Sequence, residues 1–508
     1  MKATGLIVFG FLLFVASVLA VVAGDGHIGL AVAPALIFAA LYATWKLPLR
    51  WPLLVITFLA LTLEDPPELP AEGLWKSPLY TVGALMLAHL NITLPYHALF
   101  FSALDLFLVY LGIVVAAREI TGSRIDTPKT VGAWPLRTFV LVMIGGVAWM
   151  EVYGLLRGGA DFASSLWQVE RIIYLPVVCL LALYAFRGPR DYVAFGKVII
   201  ATACVKAGVA LYVAATVAPP PGEPSLSYAT IHADSMLFAD AACLVVLLIM
   251  QRQDKKRIVL AATTLPLLVA GMIANNRRLA WVEVIVGLLV VFSLTPRSRF
   301  KRGVKRALVI IAPIMVPYAV VGWSSTSGVF RPVRVLRSVI DSSSDSSTAW
   351  RDMENTDLLY TFHQSPLLGT GYGHGYIQHI VLPDVTTAYP LEPYVPHNSI
   401  LGLWTYGGIV GFTALWTVFA IGVFFAVRAH AHAKDLSTQA IALGTLLPIV
   451  VYFVHCYGDM GLGTWVSVFT VAPSLAIAAK LAVETGAWSD ARARRAVHVP
   501  VQAREVIP

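Results

Sequence analysis

The sequence has little charge for its length. Only 13% of its 508 residues are Asp, Glu, Lys or Arg, whereas 58% are hydrophobic, and the mean hydropathy is +0.74. A soluble protein of this length would need far more charge to cover its surface. The composition therefore counts against a soluble enzyme and indicates a membrane protein.

Cysteine is scarce, and nucleotide-binding motifs are absent. The four cysteines are scattered, and no two have the spacing of a metal or redox site, so we interpret them as core residues. The sequence has no Walker loop, no dinucleotide fingerprint and no Asp-x-Asp-like motif for a sugar nucleotide. These absences count against ATP-driven transport and against sugar nucleotides as donors.

Long apolar runs recur from end to end. Each has about 17–25 residues, the length that crosses a hydrocarbon core of ~30 Å as a helix. The first run, Gly5–Ala23, resembles a signal peptide but has no clear cleavage site, so we interpret it as a retained helix. We count about fourteen spans, or twelve to thirteen if Tyr80–Leu94 or part of Ile400–Val427 is re-entrant or kinked. The sequence thus predicts an all-α polytopic membrane protein.

Basic clusters orient the predicted bundle. Successive clusters are separated by an even number of apolar runs, so all of them lie on the same side of the membrane. The positive-inside rule identifies that side as the cytoplasm, and an even number of spans places both termini there. They also account for most of the net charge of +8, which therefore does not imply a nucleic-acid partner. The predicted parts are a helix bundle (1–321), a large extracytoplasmic loop containing short helices (322–397), further membrane helices (398–482) and a cytoplasmic tail (483–508).

Arginines lie on the predicted outer face, where the charge bias disfavours them. Arg277 and Arg278 stand between two apolar runs, Arg171 begins another, and Arg351 lies in the large loop. One explanation is snorkelling of the side chains to lipid phosphate. The other is a dedicated anion site, because a planar guanidinium binds phosphate oxygens in pairs and stays protonated.

The large loop ends in a second cluster of informative residues. The stretch Ser365–Gly373 carries glycine at three alternate positions, which permits a turn whose backbone closely approaches a ligand. Then come His397 and Asn398, at the start of the next apolar run, with Gly408 and Gly411 further along it. A histidine at the mouth of a membrane helix is a candidate for proton transfer.

These motifs, in this order, resemble the O-antigen ligase and polymerase superfamily of bacterial membrane glycosyltransferases. The resemblance includes an Arg-x-Ala-Trp-like motif (Arg278–Trp281), an arginine ahead of the Pro-Leu-Leu-Gly turn (Arg351), and a His-Asn-Ser at the start of a helix. It covers about Asn275–Gly411. Because Arg277 and Leu279 flank Arg278 where the family usually has Ser-Arg-Gly, the functional arginine of the pair stays open.

The resemblance implies a fold related to the GT-C glycosyltransferases, located in the bacterial inner membrane with the active site facing the periplasm. It implies transfer of a glycan from an undecaprenyl-diphosphate carrier to a sugar hydroxyl, with inversion and without a metal or cofactor. The acceptor would be lipid A–core for a ligase, or another lipid-linked glycan for a polymerase. With this reaction in view, we expect His397 to be the general base and Arg278 the catalytic arginine. The expected substrate-binding residues are Arg277, Arg351, Arg171, Asn398 and Tyr372.

Other polar residues and another class of function are weaker candidates. His232 is expected to form a core hydrogen bond, and Asp459, at an outer helix end, is a candidate partner for an arginine. The loop histidines His363, His374 and His379 fit no standard metal pattern. A flippase or other transporter of lipid-linked oligosaccharides is the alternative, and it predicts internal repeats and ionisable residues near the bilayer midplane. No clear repeat is present.

Overall fold

The computed structural model describes most of the chain. The described residues are 3–23, 28–64, 77–90, 101–123, 132–217, 229–251, 254–296, 298–325, 327–330, 346–382, 393–459 and 461–489, with 26, 125, 333, 337 and 391 as single residues.

The described residues form helices and connecting segments, with no strand beyond an isolated bridge between His89 and Ser102. The helices are Ala3–Ala23, Ala33–Lys46, Arg50–Thr62, Tyr80–Leu87, Ala103–Ile120, Trp134–Arg157, Phe162–Ala185, Pro189–Thr216, Asp234–Gln251, Lys255–Asn275, Arg278–Leu294, Arg299–Gly322, Ser346–Gln364, Ser399–His432, Leu436–Gly458 and Trp465–Glu484.

Nine of the described helices are long and apolar enough to cross a membrane. The predicted all-α polytopic fold is therefore confirmed. Helix 278–294 is also apolar but has 17 residues. Helix 80–87, with only 8 residues, is too short to span a bilayer at 1.5 Å per residue. This agrees with the re-entrant alternative for that run, and the total of twelve to fourteen spans stays a prediction.

The core of the bundle is formed by helices 234–251 and 465–484, whose residues are the most completely buried. Helix 465–484 packs against helices 162–185, 399–432 and 436–458. These interfaces are made by small and aliphatic side chains, including Ala472, Ala476 and Leu475, all 0% exposed. Small residues let membrane helices approach closely, where van der Waals packing drives association.

Alternating helix directions bring five connections to one end of the bundle, which we call the loop end. The residues at this end include Arg157, His232, Arg277, His397 and Asp459. Contacts join these connections to one another: Ser399 Oγ donates to the carbonyl of Asp459 at 3.1 Å, and Asp161 N donates to the carbonyl of Gly373 at 2.8 Å. The candidate site residues lie at this end.

The helix 346–364 of the large loop is anchored to the bundle. It packs on helix 399–432, and Thr405 Oγ1 donates to the carbonyl of Leu358 at 3.1 Å. Asp357, 0% exposed, accepts from the backbone N–H groups of His379 and Ile380 at 3.0 and 2.8 Å. These buried hydrogen bonds fix the loop helix against the residues that follow it.

Candidate active site at the loop end

The glycine-rich turn inserts into a break in helix 399–432. Gly408 has φ 55° and ψ −162°, which interrupts the helix. In a continuous helix, Ile409 N–H and Val410 N–H would bond to the carbonyls of Thr405 and Tyr406. Instead, the two N–H groups donate to the turn at 2.9 and 3.2 Å, and the two carbonyls accept from the turn at 3.0 and 2.9 Å. The turn therefore supplies hydrogen-bond partners for the N–H and carbonyl groups that the break leaves without helical partners.

Glycine is required on both sides of this contact. Gly369 has φ +71°, and a Cβ there would overlap the backbone of Tyr406. A Cβ on Gly408 would overlap the carbonyl of Leu367. The close approach predicted for the alternate glycines thus occurs, but it is an approach to the protein's own helix. Its effect is to hold the loop helix 346–364 and the start of helix 399–432 in one arrangement.

Tyr372 is the buried residue near the end of the glycine-rich turn. Its side chain is 1% exposed, and its backbone N–H donates to the carbonyl of Met150 at 3.1 Å. The next residue, Gly373, donates its N–H to Gln168 Oε1 at 2.7 Å. The backbone hydrogen bonds of Tyr372 and Gly373 thus attach the turn to helices 134–157 and 162–185. The Tyr372 ring is buried and does not reach an exposed surface.

His397 is paired with a buried carboxylate. Its Nδ1 lies 3.2 Å from Glu354 Oε1, and its backbone N–H also donates to the two carboxylate oxygens, at 3.2 and 3.1 Å. Glu354 is 0% exposed, whereas the His397 side chain is 25% exposed. A carboxylate on Nδ1 holds the proton there and leaves Nε2 as the acceptor of the neutral ring. This is the tautomer that a general base requires.

The surroundings of His397 raise its pKa. Burial lowers the pKa of this imidazole, and the charge of Arg351 acts in the same direction. The hydrogen bond and negative charge of Glu354, with a contribution from Asp459, outweigh both, so the pKa of His397 lies above its ordinary value. The imidazolium is therefore favoured relative to a free histidine, and the neutral form predominates only at a higher pH.

Arg277, His232 and Asp459 form a second hydrogen-bonded group. Arg277 Nη2 donates to His232 Nε2 at 2.8 Å, so His232 carries its proton on Nδ1, which donates to Asp459 Oδ2 at 2.6 Å. Partial burial lowers the pKa of His232, and the charge of Arg277 acts in the same direction. Asp459 raises this pKa, but the pKa stays below its ordinary value. A neutral His232 can therefore accept from Arg277 and fix the guanidinium at the loop end.

Arg351 completes the cluster from the loop helix. It makes no hydrogen bond or ion pair with any described residue, and its Nε is buried without a partner. Burial would raise the pKa of Asp459, but His232, His455 and Arg351 together hold that pKa well below its usual range. Asp459 is thus ionised, and its charge is coupled to Arg351 and to the histidines His232, His397 and His455. A guanidinium that has no partner among the described residues is suited to an anionic ligand.

The other predicted residues lie as follows. Arg278 is the first residue of helix 278–294, directly after Arg277. The backbone of Arg171 is part of helix 162–185, but its side chain lies outside the described structure. Asn398 caps helix 399–432 by accepting from Leu401 N at 3.1 Å. It is 3% exposed, and its buried Nδ2 has no hydrogen-bond partner among the described residues.

The loop histidines do not form a site in the described structure. His374 Nε2 lies 3.1 Å from the carbonyl of Gly154. The His379 ring stacks on Tyr360 at 4.5 Å between centroids. His363 is exposed near the end of the loop helix. The sequence interpretation, which assigned no metal to these residues, stays a prediction.

Three buried ionisable residues beneath the cluster were missed in the sequence. His455 Nδ1 lies 2.7 Å from Glu283 Oε1, and both side chains are at most 1% exposed. Asp240, 0% exposed, accepts no hydrogen bond on either oxygen from a residue that the structure describes. Asp240 is six residues into its helix and therefore about 9 Å from the loop end. Ionisable residues inside apolar helices are rare and usually functional, which is the signal that could have found them.

Comparison with known proteins agrees with this geometry. Residues 264–416 match the model of the family described as O-antigen ligase. The matched segment contains Arg277, Arg278, Arg351 and His397, and it ends in the helix that the glycine-rich turn interrupts. No curated protein matches the chain. Over residues 264–416 the chain is therefore similar to the O-antigen ligase family, as its motifs indicated.

Proposed function

We propose that the chain transfers a glycan from a polyprenyl-diphosphate carrier to a hydroxyl of an acceptor sugar, at the outer face of the bacterial inner membrane. The acceptor is a lipid A–core saccharide for a ligase, or a second lipid-linked glycan for a polymerase. The observation that carries the proposal is the His397–Glu354 dyad, with Nδ1 3.2 Å from the carboxylate, together with the electrostatic influence of Arg351 on His397. A base and an anion-binding group are thus combined at one end of the bundle.

In this proposal His397 acts on the acceptor. A sugar hydroxyl is a poor nucleophile, and a positioned base improves it. The acceptor O–H gives its proton to His397 Nε2 as its oxygen attacks the anomeric carbon. Glu354, on Nδ1, holds the tautomer and stabilises the imidazolium that forms, as a positioning residue.

Arginines act on the leaving group. As the bond between the anomeric carbon and the phosphate oxygen breaks, negative charge develops on the carrier diphosphate. Fixed guanidinium groups stabilise that charge, and electrostatic stabilisation of this kind is often the largest catalytic contribution. Arg351 supplies a guanidinium without a hydrogen-bond partner in the described part of the chain, and Arg277, held by His232, supplies an oriented one. Arg278 follows Arg277 directly in the chain. Arg171 stays a candidate diphosphate ligand on the basis of the sequence alone.

A single displacement of this kind inverts the configuration at the anomeric carbon. No carboxylate is needed as a nucleophile, because the donor already carries a good leaving group. The arginines take the role that a divalent cation has in many phosphate sites, so the reaction as proposed needs no metal. Asn398 is retained as a substrate contact through its unpartnered Nδ2. Tyr372 could support binding only by holding the turn, since its ring is buried.

The test is a reaction with the purified full chain in detergent. A synthetic polyprenyl-diphosphate glycan is incubated with a lipid A–core saccharide or with a second lipid-linked glycan, in separate reactions. We expect one acceptor to be elongated, with release of the carrier diphosphate and inversion at the new linkage, and we expect His397→Ala to abolish most turnover. The acceptor that is used separates ligase from polymerase.

Two outcomes would contradict the proposal. One is movement of the intact lipid-linked glycan between leaflets of a reconstituted vesicle without formation of a new glycosidic bond, which is the activity of a flippase. The other is a product that retains the donor configuration, since that would require a covalent intermediate for which no nucleophile is assigned.

A further inference from the structure

A second cluster of ligand-type side chains lies apart from the residues assigned to glycan transfer. His89 follows the short helix 80–87, Asp105 begins helix 103–120, and Glu170 belongs to helix 162–185. One donor atom from each lies within 4.8 Å of the other two. These three side chains come from separate segments of the chain and converge at one place, and the proposed transfer reaction uses none of them.

The geometry of the His89–Glu170 pair suits a common metal ion. His89 Nε2 lies 2.9 Å from Glu170 Oε1. Ligands bound to Zn²⁺ at about 2.0–2.2 Å, with angles of about 90–110° between them, are roughly 2.8–3.6 Å apart. The two side chains are only 11% and 15% exposed, so a bound ion would be largely shielded from water.

Asp105 provides the independent indication of a ligand. It is 4% exposed, and its Oδ2 accepts from Ser102 N at 2.8 Å in a capping box. Its Oδ1 is buried and makes no hydrogen bond with a described residue. The Tyr174 side chain is a neighbouring hydrogen-bond donor to this carboxyl group, but it does not reach Oδ1 with hydrogen-bond geometry. A buried carboxylate oxygen without a donor is costly, and a cation would satisfy it.

The charges favour a divalent cation. Asp105 and Glu170 place two carboxylates within 4.8 Å of each other in a mostly buried site, where like charges repel. An ion of charge +2 would balance both carboxylates and leave the imidazole neutral, as a ligand must be.

Two local contacts fix the histidine. The backbone of His89 pairs with that of Ser102 in an isolated antiparallel bridge, next to the hydrogen bond from Leu90 N to the carbonyl of Phe101 at 2.9 Å. The imidazole ring also packs on Trp167, with 4.7 Å between centroids. A ligand held by its backbone and by an aromatic neighbour is preorganised for binding.

We propose that His89, Asp105 and Glu170 bind one divalent transition-metal cation, of the Zn²⁺ or Mn²⁺ class. Imidazole suits zinc, carboxylate oxygen suits manganese, and one nitrogen with two oxygens is compatible with both. The ion joins helices 103–120 and 162–185 to the segment after helix 80–87, so its role is structural. It is independent of the proposed transfer reaction.

The first experiment measures metal binding directly. The full chain is purified in detergent with an affinity tag that lacks histidine, stripped with a chelator, and dialysed to equilibrium against Zn²⁺ or Mn²⁺. Elemental analysis should find one bound ion per chain. Asp105→Asn and Glu170→Gln should each weaken binding by at least the ~10–100-fold that loss of an outer-shell partner costs. The controls, Glu119→Gln and His363→Gln, change exposed residues of the same types.

A second measurement, the spectrum of bound Co²⁺, uses the wild type alone and so does not depend on how well a variant folds. Co²⁺ added to the stripped wild-type chain should give visible absorption bands of a nitrogen- and oxygen-ligated ion, and excess Zn²⁺ should remove them. Zn²⁺ should also raise the thermal unfolding midpoint of the wild type more than that of His89→Gln. The proposal is overturned if the wild type gives neither bound metal nor a Co²⁺ spectrum. It is equally overturned if a folded Asp105→Asn/Glu170→Gln double variant binds as tightly as the wild type. Glycan transfer is not used as a readout.

Discussion

Glu354 accepts hydrogen bonds from both the imidazole and the backbone N–H of His397, at 3.1–3.2 Å, and is itself fully buried. The two residues are 43 positions apart in the sequence. Their contact is made by the large loop folding back onto the start of helix 399–432. It turns an isolated histidine at a helix mouth into one with a defined tautomer and a raised pKa.

Glu354→Gln should change the pH dependence of transfer. His397 must be neutral to accept a proton, so the rate should fall as the pH drops through its raised pKa. Without the charge of Glu354 that pKa falls, and the acidic limb of the rate profile should move to lower pH. The maximal rate should also fall, by up to ~10⁴-fold, because an amide can stabilise the wrong tautomer.

The measurement is kcat against pH for the wild type, for Glu354→Gln and for the control Asp352→Asn. Asp352 is an exposed acid on the same loop helix, and its variant should keep the wild-type profile. An unchanged acidic limb in a folded Glu354→Gln enzyme would show that Glu354 has only a structural role.

His397→Ala should lower kcat by about 10²–10⁴-fold, which is what a positioned general base contributes. Donor binding should persist, because the arginines hold the diphosphate. The measurement pairs single-turnover rates with binding of a labelled lipid-linked donor, and His397→Gln serves as the closer isostere. If either variant binds donor poorly but turns it over at the normal maximal rate, His397 is a binding residue and the base lies elsewhere.

Arg277→Ala should cost more activity than Arg278→Ala. Arg277 is oriented by His232, and removing one fixed donor to developing charge costs about 10²–10³-fold in kcat. Arg277→Lys should recover only part of this loss, because an ammonium group cannot donate two parallel hydrogen bonds to a phosphate. The comparison is kcat/KM for the three variants under identical conditions. A larger loss in Arg278→Ala would transfer the assignment to that residue.

Much of the general arrangement could be predicted from the sequence. The apolar runs gave the all-α membrane fold, because their length and continuity follow directly from bilayer thickness. The match of residues 264–416 confirms the resemblance that the motifs carried. The choice between Arg277 and Arg278 stays open, because the motif alone does not distinguish two adjacent arginines.

The partners of these residues could not be predicted. Glu354 lies in a polar loop helix with other acidic residues, and nothing local marks it as the one that reaches His397. The glycines of the turn indicated a close approach, but not that Gly369 approaches the break at Gly408. Both contacts join segments that are distant in the sequence. A local sequence motif does not indicate which distant segment packs against it.

The side of the membrane on which the loop end lies is still a prediction from the basic clusters. Cysteine introduced at exposed Thr356, on the loop helix, should react with an impermeant maleimide in cells whose outer barrier is removed. Cysteine at exposed Ser437, at the opposite end, should not. The background should carry Cys204→Ser, because the other three cysteines are buried. Reaction at Ser437→Cys alone would invert the topology and with it the periplasmic location of the site.

Gly408→Ala should lower both stability and activity. At φ 55° and ψ −162° an alanine is strained, which costs of order 1–3 kcal/mol. Its Cβ would also displace the carbonyl of Leu367, and with it the hydrogen bonds that dock the turn. The control Gly145→Ala lies in a helix with open space around it and should be neutral or stabilising.

Because the turn connects the loop helix that carries Glu354 to the helix that follows His397, its displacement should loosen that pair. The expected result for Gly408→Ala is a lower thermal midpoint, together with a reduced kcat measured well below that midpoint. An enzyme with the midpoint and kcat of the Gly145→Ala control would mean that the break in the helix tolerates a side chain. The docked turn would then not be what holds His397 and Glu354 together.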